Sequence, residues 1–193
     1  MDCTLTYATN YTAIAIGTNL LVNKYNFEMK HSSIIITLPY LTSVILMPIL
    51  GWYVDKTGKR LNWVLICGIL NIVSHVWGFL HPECDMCVTS VVPFVLYGLQ
   101  LTIYNVVSWG MIPYLVPENS TGTAYGIVTS CQNIGTTLMP LVMSSIHDHT
   151  KGNKYVDIVF ILFCLWSMFF KFCLYRWDVQ KRNGILQGKN PAE

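Results

Sequence analysis

VTSVVPFVLYGLQLTIYNVVSWGMIPYLVP, Val88 to Pro117, runs thirty residues without a charge. A single Glu118 separates it from a second uncharged run, Asn119 to Ile146. A bilayer core about 30 Å thick is crossed by roughly 20 apolar residues of helix, so each run is long enough to span one. Working outward, four further runs of that size appear, and the expected spans are 3–23, 32–54, 61–80, 90–115, 121–146 and 156–175.

Composition agrees: 53% of the 193 residues are hydrophobic and only 11% are charged, which belongs to the membrane class. Barrel strands would alternate polar and apolar residues in shorter pieces, so the runs read as helices. Pro39, Pro48, Pro93, Pro113 and Pro140 fall inside them, where they kink a helix but would break a sheet. The expected fold is an all-α membrane protein, a six-helix transmembrane bundle over 1–176 with a polar cytosolic tail over 177–193. The first run does not read as a cleavable signal, because Asp2 replaces a basic leader and Asn10 and Asn19 interrupt it.

Orientation follows the basic residues. Lys56, Lys59, Arg60, Arg176, Lys181, Arg182 and Lys189 fall on the side of the termini, against Lys24, Lys30, Lys151 and Lys154 opposite, which places both termini in the cytosol. Lys171 is expected to snorkel towards the first group. The sequons at Asn10 and Asn119 then lie in the bilayer and the cytosol, out of reach of glycosylation. Cys84 and Cys87 share a short loop on the other side, where an oxidising compartment could join them. Gly122, Gly126 and Ser130 form a small-residue stripe at four-residue spacing, suited to close helix packing or to a sliding surface.

The segment Gly51-Trp52-Tyr53-Val54-Asp55-Lys56-Thr57-Gly58-Lys59-Arg60 carries the most specific pattern. Gly51 would let a helix approach, Asp55 would accept from a helix N-terminus, Gly58 would allow a tight reversal, and Lys59 and Arg60 would offer cations. Glu118 lies at the same face and is expected to pair with Lys59 or Arg60 in one state of a moving bundle.

Gly51-x-x-x-Asp55-Lys56-x-Gly58-Lys59-Arg60 resembles the cytoplasmic signature loop of the major facilitator superfamily. Val116-Pro117-Glu118, Gly122-Thr123-Ala124-Tyr125-Gly126, Gln132-Asn133-Ile134-Gly135, Trp63-Val64-Leu65 and Val73-Ser74-His75 narrow the resemblance to a lysosomal dipeptide carrier of that family. It implies two six-span bundles around a central cavity that open alternately, with this chain as spans seven to twelve. It further implies a missing N-terminal half, dipeptides as small-molecule substrate, the lysosomal membrane as location, and a glycosylated accessory membrane protein as partner. The first, second, fourth and fifth spans of such a half line the cavity, which nominates Tyr7, Asn10, Tyr11, Asn105, Trp109, Gln132 and Asn133 for substrate binding. Tyr7, Asn10 and Tyr11 fall on one helical face and offer phenol and amide groups to a peptide backbone. With no carboxylate in mid-span, the expected mechanism is uniport.

His75 is expected to be a hydrogen-bonded packing residue, and Asp157 a first-turn charge at a helix N-terminus. His147-Asp148-His149 reads as a solvated turn rather than a metal site. No cofactor, metal, nucleic-acid partner or enzymatic activity is expected. Two alternatives stand beside transport: a truncated, non-transporting membrane scaffold, and a membrane thiol oxidoreductase using Cys84-x-x-Cys87.

Overall fold

The computed structural model describes residues 2–82, 84, 86–150, 153–181 and 184–188. Six long helices follow one another: α1 Asp2–Tyr25, α2 Met29–Thr57, α3 Arg60–Leu80, α4 Val92–Leu115, α5 Thr121–Thr150 and α6 Asn153–Lys181. Short 3-10 turns at Val88–Val91 and Glu118–Ser120 lead into α4 and α5. Each expected span lies within its helix apart from the first residues of the fourth, which belong to the 3-10 turn. The chain is an all-α membrane protein of six helices.

Four segments, Met29–Thr57, Arg60–Leu80, Val88–Leu115 and Tyr155–Lys181, are long and apolar enough to cross a bilayer. Their outward side chains suit lipid, as Val44 at 72% and Phe169 at 62% exposure show. Helices α1 and α5 differ. They carry Thr9, Asn10, Thr12 and Asn19 on one and Thr129, Ser130, Gln132 and Asn133 on the other, and they pack along each other. The two helices outside that set are therefore neighbours, but their polar side chains part: Thr9, Asn10 and Thr12 are buried, Thr9 accepting from Asn71 of α3, whereas Thr129, Ser130 and Asn133 of α5 are exposed.

Packing is closest where side chains vanish. A Cβ on Gly98 would fall 2.9 Å from the Pro39 backbone of α2, and one on Gly135 would fall 2.9 Å from the Thr4 carbonyl oxygen of α1. The stripe Gly122, Gly126 and Ser130 makes no such approach: a Cβ on either glycine meets nothing within 4 Å, and Ser130 is exposed. Gly51 is equally open. The expected packing stripe is thus an outward face of this bundle, because α5 turns Gly135 and not Gly126 towards α1.

Two further expectations are corrected. Lys171 does not snorkel. It is 1% exposed and ion-paired to Asp2, because a part-buried carboxylate within reach competes with a longer path to the interface. The tail does not leave the bundle at residue 177 either. Helix α6 runs on to Lys181, Asp178 is fully buried, and after Gly184, at φ 73°, the chain turns back so that Leu186 enters the core beside α3 and α4. The Leu186 N–H donates to the Asp178 carboxylate at 3.3 Å, and Gln187 Nε2 donates to Asn62 Oδ1 at 3.0 Å. Cys84 and Cys87 form a disulfide, while Cys3, Cys67, Cys131, Cys164 and Cys173 are free. The residues Lys151, Arg182 and Lys189, and the side chains of His147, Asp148 and Lys154, lie outside what is described.

Candidate functional site

The α2–α3 loop reverses the chain over two left-handed residues, Gly58 at φ 65° and Lys59 at φ 53°. Glycine takes such a φ freely, whereas a lysine does so only where its surroundings hold it. The Lys59 N–H donates to the Gln187 carbonyl at 3.4 Å, so the returning tail backs the loop.

Arg60 is 4% exposed. Its Nη2 donates to Asp55 Oδ1 at 3.0 Å, and its guanidinium lies 4.5 Å over the Tyr114 ring near the end of α4. Asp55 therefore takes a guanidinium rather than a helix N-terminus. Lys56 lies 5.0 Å over the Trp52 ring. Glu118 is exposed and, among the described residues, pairs with neither Lys59 nor Arg60, since Asp55 and Tyr114 already hold Arg60.

One to three turns in from the same end, α1, α4 and α5 build a polar aromatic cluster. The Tyr7 hydroxyl donates to Asn105 Oδ1 and accepts from Trp109 Nε1 at 2.7 Å. The Trp109 ring stacks on Tyr125 with centroids 5.6 Å apart, and the Tyr125 hydroxyl donates to the Trp109 carbonyl at 3.2 Å. Tyr11 stacks on Tyr7 at 5.7 Å, and Tyr104 meets Tyr7 edge-on at 5.4 Å. Tyr7 is buried, while Tyr11, Asn105, Trp109 and Tyr125 are half-buried and reach the open side of the bundle. Phenols with amide and indole dipoles give apolar walls that also carry hydrogen-bonding groups, the combination that small-molecule sites use.

Four of the seven residues nominated from the sequence thus share one site: Tyr7, Tyr11, Asn105 and Trp109. Asn10 does not join them. It is 1% exposed and turns its Nδ2 back onto the Thr6 carbonyl at 2.7 Å. Gln132 and Asn133 sit further along α5, half-buried and exposed respectively. Sequence reasoning missed Tyr125, although it lies in the Gly122–Gly126 stretch. An aromatic between two glycines on a polar helix is the signal that marks it.

Lipid-facing helices with a polar aromatic cluster where α1, α4 and α5 meet define a polytopic, all-helical membrane protein. The description of the Major Facilitator Superfamily matches residues 3–191, and the chain belongs to that family. It is 31% identical over 176 residues, 90% of this chain and 36% of the relative, to the Lysosomal dipeptide transporter MFSD1 of Mus musculus. It is 28% identical over 186 residues, 95% of this chain and 38% of the relative, to the protein of the same name from Danio rerio. The Homo sapiens protein of that name is 30% identical over 162 residues, 82% of this chain and 33% of the relative. The chain spans little more than a third of the length of these relatives.

Proposed function

We propose that this chain forms spans seven to twelve of an alternating-access carrier for dipeptides in the lysosomal membrane, with both termini cytosolic. The observation that carries this reading is the cluster where α1, α4 and α5 meet: Tyr7, Asn105, Trp109 and Tyr125 join there, and Thr129, Ser130 and Asn133 further along α5 are exposed. Exposed polar residues on a helix of a membrane bundle suit an aqueous path or a substrate site rather than lipid. The aromatic faces suit side chains that vary between dipeptides, and the Tyr7–Asn105 pair suits the constant amide backbone. The names of the mouse and zebrafish relatives support the substrate class and the compartment.

Half a cavity cannot enclose a substrate, so the working unit needs an N-terminal six-span half, and a glycosylated accessory membrane protein is a further partner of the assembled carrier. The outward stripe Gly122, Gly126 and Ser130 offers a flat surface against which that half could slide. The Arg60–Asp55 pair, backed by Tyr114 and the returning tail, is the hinge-side clamp, and Glu118 is free to engage Lys59 when the bundles rock. The test is uptake of a labelled dipeptide into vesicles holding this chain with an N-terminal half. Competition by unlabelled dipeptides and not by free amino acids supports the reading. Equal competition by free amino acids would replace the substrate class.

A further inference from the structure

At the end of the bundle away from the signature loop lies a small cavity of about 40 Å³. Tyr25 of α1, His75 of α3, Tyr97 of α4, and Asp157 and Phe160 of α6 are among the residues around it. His75 is 2% exposed and its ring stacks on Phe160 with centroids 4.7 Å apart. Its Nδ1 lies 3.3 Å from the Tyr97 hydroxyl, while its Nε2 has no protein partner. Asp157 is 8% exposed, and its Oδ2 also has none. Two residues from different helices, each with a buried unpartnered polar atom, therefore border one cavity. Within an apolar bundle each would be costly to leave unsatisfied, and two costs at one place call for a shared ligand.

The cavity admits water, which needs roughly 10–15 Å³ per molecule on this measure and two or more polar partners. If the Tyr97 O–H donates to Nδ1, the imidazole carries its proton on Nε2 and can donate onward. Water accepting from Nε2–H and donating to Asp157 Oδ2 satisfies both atoms together.

We propose that this cavity is a proton-binding site, in which water joins His75 to Asp157 and the pair takes up one proton from bulk solvent. The proton resides on the Asp157 carboxylate, giving a neutral acid whose O–H donates to the water while His75 stays neutral. Release returns the carboxylate and the proton to solvent. From α1, Tyr25 borders the site and Lys24 lies beside it. The Lys24 Nζ donates to the Gly78 carbonyl at 2.7 Å, and its charge acts on Asp157. Uptake therefore changes the local balance from a neutral Lys24–Asp157 couple to a net cation. Helices α1, α3, α4 and α6 meet here, so the proton reports on, and biases, how they pack. The inference rests on the fold alone and stands whatever the carrier transports. It also gives His75 more than a packing role, and Asp157 a role other than the expected first-turn charge, since α6 begins at Asn153 and has no acidic residue in its first turn.

The experiment is infrared difference spectroscopy on the full chain in lipid nanodiscs, stepped from about pH 8 to about pH 5.5, a range in which exposed aspartates, with a pKa of about 3.9, stay ionised. The expected result is a carboxylic-acid carbonyl band that grows on acidification and shifts with [13C]aspartate labelling. Asp157→Asn should abolish it, and His75→Gln should displace it. A band that survives Asp157→Asn would overturn the proposal, as would the lack of any titrating aspartic-acid band in the wild-type chain. Should Asp157→Asn not fold, the decision passes to the labelled wild type and His75→Gln: a band indifferent to both also overturns it.

Discussion

Lys171 Nζ, deep in α6, donates to Asp2 Oδ1 at 2.5 Å across to the first turn of α1. The same ammonium donates to Thr6 Oγ1 at 2.7 Å and Ser167 Oγ at 2.6 Å, and it lies 5.4 Å over the Tyr104 ring. Tyr104 in turn donates its hydroxyl to Asp2 Oδ2 at 3.1 Å. All three ammonium protons are used, so three helices are tied by a buried ammonium and a part-buried carboxylate.

Removing one partner of a fully buried pair costs roughly 3–5 kcal/mol, an upper bound here because the Asp2 carboxylate is part-exposed, whereas removing both can be nearly neutral. Lys171→Met should therefore lower the thermal unfolding midpoint in detergent sharply, and Asp2→Asn with Lys171→Met should recover most of the loss. Equal midpoints for the single variant and the wild type would show that the pair contributes nothing.

Tyr7→Phe keeps the ring stack on Tyr11 but deletes the hydroxyl that Asn105 and Trp109 share. An unsatisfied group costs about 1–3 kcal/mol, which corresponds to roughly a five- to hundredfold weaker apparent affinity if the cluster touches substrate. Half-saturation of dipeptide uptake is the readout, with surface expression as control. A change in expression with no change in half-saturation would make Tyr7 a packing residue.

Arg60 contributes both a charge to Asp55 and a flat cation to Tyr114. Lysine retains the charge but loses the planar stacking and the fork of donors. Arg60→Lys is expected to lower the maximal uptake rate without altering half-saturation, since the loop lies outside the polar cluster. Wild-type rates from Arg60→Lys would leave charge alone as the requirement.

Leu186 is 1% exposed in a tail that also bonds the Lys59 N–H and Asn62. Leu186→Ala should undock residues 184–188, at a cost of about 2–5 kcal/mol if the site cannot collapse. Hydrogen exchange should then speed up at Gly58 and Lys59 and stay unchanged at the far end of the bundle. Unchanged exchange in the loop would separate the tail from it.

Helix number and position were legible because lipid demands long apolar runs and leaves little room for other readings, as Val88–Pro117 shows. Side-chain partners were less so. Asp2 and Lys171 each look like an interfacial charge when read along the chain, because their pairing spans 169 positions. Asn10 shares a helical face with Tyr7 by spacing, yet its amide satisfies itself on the Thr6 carbonyl, a local bond that periodicity does not show. Ile185 and Leu186, an apolar pair among the polar residues 180–190, were the available sign that the tail returns. The outward turn of Gly122 and Gly126 was illegible, since spacing says that a stripe exists and not which neighbour it meets.

Uptake of a labelled dipeptide by vesicles that hold this chain together with an N-terminal half, compared between Trp109 and Trp109→Ala, probes the aromatic cluster most directly. Losing the indole removes the wall stacked on Tyr125 and the donor to Tyr7. Uptake should require both halves and fall by roughly tenfold or more in the variant at equal surface expression. Full uptake by Trp109→Ala, or uptake by the N-terminal half alone, would contradict a substrate path along α1, α4 and α5.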